Sequence, residues 1–187
     1  FDGENEHFAI DWFRIEYEWN ALPNYTYLDT LNVRPVWDMG YTGAGIGVAV
    51  VGSGISQDRD FGSVQRLSFS AGSTTVNDVY GHGTHVAGIV AGDGTSSAGL
   101  YRGVAPDANL VSVRVLGADL KGRGAAFLGG LEWAIERGVD VINLSLSSKS
   151  GALFADFHDV VDRAYFAGIT LVSAANNAPG ASYPSLF

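Results

Sequence analysis

From Tyr41 onward, short runs in which almost every position is apolar alternate with longer segments in which apolar residues recur every three or four positions. The runs cover residues 46–51, 110–116, 139–146 and 169–175, and Val, Ile and Leu occupy positions of both parities. A strand covered on one face alternates apolar with polar. A strand covered on both faces does not, so these four runs predict buried strands of a parallel sheet. Between the second and third runs, Leu128, Leu131 and Ile135 mark a helix over residues 124–137, with Gly138 placed to end it. Between the third and fourth, Phe154, Phe157, Val161 and Ala164 form one stripe of a helix over 154–167, with Gly168 after it. Strand and helix in strict alternation predict an α/β domain with crossover helices.

Residues 1–34 have a different texture. They are aromatic, acidic and nearly free of Gly, and Pro23 and Pro35 close them off. They read as an N-terminal extension, with residues 35–187 forming the larger domain. Hydrophobic residues make up 47% of the 187, enough for one globular core, so disorder is excluded. The formal charge of −9, with only 11 scattered Lys and Arg, excludes a nucleic-acid surface, which needs clustered cations. No stretch approaches the roughly 18 uninterrupted apolar residues of a membrane span. With no cysteine, disulfides and thiolate metal sites are ruled out, and the redox compartment stays open.

In open α/β sheets the chemistry collects beyond the carboxyl ends of the strands, so the residues that follow each run carry most information. The first run continues into Gly52-Ser53-Gly54, which also resembles the opening of a dinucleotide-binding loop. That alternative wants a Gly or Ala three residues after Gly54 and then an amphipathic helix, whereas Gln57 and D-R-D-F-G-S-V follow. It also wants an acid for the ribose some 20 residues on, for which Asp78, in a polar stretch, is the nearest residue. Residues 81–92 read G-H-G-T-H-V-A-G-I-V-A-G, a far more specific signal, and the last run closes in S-A-A-N-N.

On these segments, together with Y-R-G-V-A-P-D-A-N-L-V-S-V-R-V-L, L-E-W-A-I-E-R-G-V-D-V-I-N-L-S-L-S and the closing Y-P-S, the chain resembles the subtilisin-like serine proteases, or subtilases, from about Val36 to its last residue. The resemblance implies a three-layer fold with a mainly parallel sheet flanked by helices, incomplete at its C-terminal side. It further implies peptide-bond hydrolysis by a Ser/His/Asp triad, peptide or protein substrates, secretion, and no cofactor for the chemistry. His82 takes the place of the general base and His85 that of a structural histidine. Asn177, in Ala174-Ala175-Asn176-Asn177, takes that of the oxyanion donor. Ser145, Leu146 and Ser147 match one substrate-pairing segment, with Ser147 where Gly is usual, and Lys121 and Gly122 belong to the other. Family members often bind calcium in a structural role, for which Asp60 is the nearest candidate ligand.

One position departs from the family frame. The first-strand motif D-T-G or D-S-G here reads Gly52-Ser53-Gly54 inside an otherwise intact V-A-V-V-x-S-G-I, which fits an inactivating substitution, natural or introduced. The family's Asp holds the imidazole tautomer and stabilises the cation formed when the base takes a proton. In subtilisin its loss alone costs on the order of 3 × 10⁴ in kcat. The family's nucleophile motif, G-T-S-M-A-x-P, does not occur in the 187 residues. The expectation is a chain inactive alone, completed by a second chain or fragment that supplies the Ser half. The alternative is a pseudoprotease that binds peptides or a partner through the former substrate groove.

Overall fold

The computed structural model describes residues 27–70, 75–175 and 180–187. They divide between two compact units, Phe1–Tyr41 and Thr42–Phe187. In the first, α1 (Tyr27–Thr30) and α2 (Arg34–Asp38) are short, with Leu28 and Val33 buried. Pro35 falls in the first turn of α2, where its missing N–H costs nothing.

The second unit runs β1 (Gly47–Gly52), β2 (Gln65–Ser68), α3 (His82–Ala91), β3 (Asn109–Arg114), α4 (Gly124–Glu136), β4 (Val141–Leu144), α5 (Phe154–Phe166) and β5 (Thr170–Ser173). The strands form one parallel sheet in the order β2-β3-β1-β4-β5, with Gly47 opposite Asn109 and Val48 opposite Val141. β1 is central, and both parities of its residues are buried. Ala49 and Val51 pack with Phe127, Leu131 and Ala134 of α4 and with Phe157, Val160 and Ala164 of α5. Val48 and Val50 pack on the opposite face with Ala87 and Ala91 of α3. The result is three layers, helix on sheet on helix, as the uninterrupted apolar runs require. Full burial of Val50, Leu131, Ile142 and Leu144 contributes about 1.5–3 kcal/mol each relative to exposure.

Four details differ from the sequence expectations. β5, expected to be covered on both faces, is an edge strand with no buried residue, and Val172 is 50% exposed. β2 has no apolar run to announce it: Gln-Arg-Leu-Ser is an edge strand with no buried residue. On α5 the inward stripe is Phe157, Val160 and Ala164; Val161 is only partly covered and Phe154 is exposed. On α4 the deepest residues are Phe127, Leu131 and Ala134, with Leu128 and Ile135 flanking them. Both helices end as expected, at Gly138 and Gly168, each with a left-handed φ.

Candidate active site

β1 ends at Gly52, and the chain leaves the sheet through Ser53 and Gly54 rather than entering a helix. A dinucleotide loop needs a helix at that point, so this geometry removes that reading. Here β1 meets the start of α3. The Ser53 hydroxyl, 1% exposed, accepts the Gly83 N–H at 2.9 Å. The approach is close enough that a Cβ on Gly83 would sit 2.2 Å from the Gly54 carbonyl oxygen. Only Gly fits there, which explains the small residue directly after His82.

The first turn of α3 is capped from outside itself. Its N-cap residue, Gly81, has no side chain to offer. Asp78 supplies the acceptor instead. One carboxylate oxygen accepts the Tyr80 N–H at 3.1 Å and the Gly81 N–H at 2.8 Å, while the other accepts the Thr84 N–H and the Thr84 hydroxyl, both at 2.8 Å. With Ser53 on Gly83 and Asp78 on Thr84, two of the orphan donors of the first turn are satisfied, and His82 is held rigidly beside them. Burial by itself would raise the Asp78 carboxyl. The hydrogen bonds from Thr84, Gly81 and Ser53 outweigh it and hold the group below the usual carboxylate range. Asp78 is thus a helix cap and not a ribose ligand. The signal that marks it is an Asp just ahead of a helix whose own N-cap position is Gly.

The histidine so held lacks a partner. Its Nδ1 is buried and has no hydrogen-bond partner among the described residues. At Gly52 a Cβ would meet nothing within 4 Å among the described residues. Arg114, opposite Gly52 on β3 and 2% exposed, donates to the carbonyls of Leu116, Thr75 and Asn77 at 2.9–3.1 Å and has no ion-pair partner among the described residues. It fastens residues 75–77 next to the Asp78 cap.

A cavity of about 530 Å³ opens between the exits of β3 and β4. Lys121 and Gly122 form one wall, Leu146 and Ser147 the other, and Leu116, Phe127, Leu153 and Phe157 form an apolar floor. The two substrate segments expected from sequence therefore meet in one groove. Ser145 stays outside the lining, its hydroxyl donating to Asn143 at 3.0 Å. His82 and Gly52 lie beside the β1 exit and do not line the groove. Asn177 falls outside the described residues. Asp60 accepts the Ser96 N–H, and no three His, Asp or Glu side chains among the described residues come together as a metal cage.

Fold and site together define a three-layer parallel α/β protein with a histidine fixed at a helix entrance and a groove between two strand exits of the same unit. The family can be stated: the chain belongs to the subtilase family, peptidase S8, whose model matches residues 43–185. It is 40% identical over 141 residues to subtilisin DY of Bacillus licheniformis, covering 74% of this chain and 50% of that protein. It is 42% identical over 150 residues to subtilisin BL of Lederbergia lenta, covering 79% and 54%. The minor extracellular protease Epr of Bacillus subtilis is 34% identical over 160 residues, covering 86% and 23%. The chain thus spans about half the length or less of these curated relatives.

Proposed function

We propose that residues 35–187 form the base-bearing part of a subtilisin-like serine endopeptidase domain. His82 serves as general base and Asn177 as oxyanion donor. The substrate backbone lies as an added strand between residues 121–122 and 145–147. The observation that carries this reading is the groove: two segments separated by a helix and a strand converge on one cleft with an apolar floor. Strand addition gives affinity through the main chain and selectivity through pockets, and Ser147 narrows the pocket nearest the scissile bond. The relative named as extracellular supports an extracellular location. Among the described residues no helix is long and apolar enough to cross a membrane.

Catalysis needs an acceptor for the imidazole Nδ1–H and a nucleophile. With Gly at 52 the first is missing, so this chain is inactive as it stands. The unpartnered Nδ1 favours a second reading, a pseudoprotease that keeps the groove and binds peptides without cleaving them. Appending a segment bearing the family's Ser motif, in trans or as an extension, and making Gly52→Asp tests the first reading. Labelling by a fluorophosphonate probe is expected in the completed Gly52→Asp variant and lost when His82→Ala is added. No labelling of that variant, folded and completed, would overturn it. Peptide affinity with Gly52 retained and no labelling would establish the second.

A further inference from the structure

We propose that the groove between the exits of β3 and β4 selects extended peptides in which an acidic side chain stands directly beside a bulky apolar one. The inference rests on the reading of this groove as a peptide site and adds the chemistry of its occupant. Two cations, Lys121 and Arg123, line the groove, and no Asp, Glu or His lines it. Neither cation forms an ion pair among the described residues. The nearest acid in sequence, Asp119, accepts the Lys121 backbone N–H at 3.1 Å and stays outside the lining. A third cation, Lys149, stands between Ser148 and Ser150, two further lining residues. Three of the 11 Lys and Arg thus gather on segments 121–123 and 147–150, which hold no acid, in a chain of net charge −9. The mouth of the groove therefore carries the sign opposite to that of the chain as a whole, and an anionic partner is the one it attracts.

The floor sets what accompanies the charge. Phe127 and Phe157 meet edge to face with ring centroids 5.2 Å apart, and Leu116 and Leu153 line the groove with them. Such a floor takes a Phe or Leu side chain. In an extended strand successive side chains point to opposite faces, so a residue that enters the floor sends both its neighbours toward the mouth. A carboxylate there meets Lys121 and Arg123 without burial of either partner, because both cations are exposed. Two such exposed pairs amount to about a threefold to tenfold gain in affinity, most of which salt screens away. A Lys at the same place meets like charge.

The test titrates the full chain with dye-labelled extended peptides that differ only in Glu, Gln or Lys beside a single Phe, read by fluorescence anisotropy. At about 0.02 M salt the Glu peptide is expected to bind about threefold to tenfold tighter than the Gln peptide, with the Lys peptide weakest, and at about 0.5 M salt the three should converge. The ratio of Glu to Gln affinity should fall to about one in Lys121→Gln/Arg123→Gln and invert in Lys121→Glu/Arg123→Glu. Should neither variant fold, the salt series on the native chain decides. Equal affinity of the Glu and Gln peptides at low salt, a preference that salt leaves unchanged, or one kept by a folded double variant would overturn the proposal and leave the groove standing as a peptide site. Binding of none of the three peptides would overturn the groove reading and this proposal together.

Discussion

Replacing Asp78 by Asn separates charge from shape at the entrance of α3. The amide keeps one oxygen for the Tyr80 and Gly81 N–H groups but turns an NH₂ toward the Thr84 N–H, donor against donor. Leaving that N–H unpaired costs about 1–3 kcal/mol. Losing the negative charge at the helix N-terminus adds about 0.3–1 kcal/mol. The expected destabilisation at pH 7 is therefore about 1.3–4 kcal/mol, read as a lower urea midpoint with an unchanged slope. The pH dependence follows from the depressed Asp78 carboxyl. Its folded value lies below the unfolded one near 3.9, so its stabilisation is complete above about pH 5 and is lost as pH falls through the folded value. The gap between the native chain and Asp78→Asn should stay flat from pH 7 to about 5 and shrink below about pH 4. A gap under about 0.5 kcal/mol at pH 7, the level of an ordinary surface substitution, or one that persists unchanged at about pH 3, would refute the capping argument.

Two further outcomes follow from close geometry. Gly83→Ala places a Cβ against the Gly54 carbonyl at 2.2 Å, so the backbone has to move, and a loss of about 3 kcal/mol or more is expected in thermal or urea unfolding. Ser147→Trp fills the wall of the groove at Leu146 and should weaken an extended peptide at least about tenfold by fluorescence anisotropy, leaving the unfolding midpoint within about 0.5 kcal/mol.

What the sequence disclosed followed the strength of its apolar signal. β1 and β3 are buried on both faces and β4 on one, and their apolar runs point to a parallel sheet; β5 is an apolar run that lies at the sheet edge with no buried residue. β2 escapes because Gln-Arg-Leu-Ser carries a single apolar residue and so shows no run. The α5 stripe differs from its sequence pattern at two positions: Phe154, at the first residue of the helix, is exposed, and of adjacent Val160 and Val161, which both fit a helical period, packing selects the first. His82, Gly52 and the groove walls are legible through motif resemblance. The capping role of Asp78 leaves only one trace in sequence, an Asp ahead of a helix whose N-cap position is Gly, and its donors show only in the fold. Arg114 is hidden similarly, as one polar letter in V-R-V-L, although it clamps the loop that carries the cap.

The place of β1 in the sheet has a consequence for the chain as it is made. Its partners arrive late: Gly47 waits for Asn109 and Val48 for Val141. At about 5–20 residues per second, translation leaves the V-A-V-V segment unpaired on both edges for several seconds or more. During that interval the most apolar strand is a nascent adhesive surface, and until Asn109 emerges it can gain no native neighbour at either edge. A binder that shields this strand during synthesis, rather than one that stabilises the finished fold, should have the larger effect on yield.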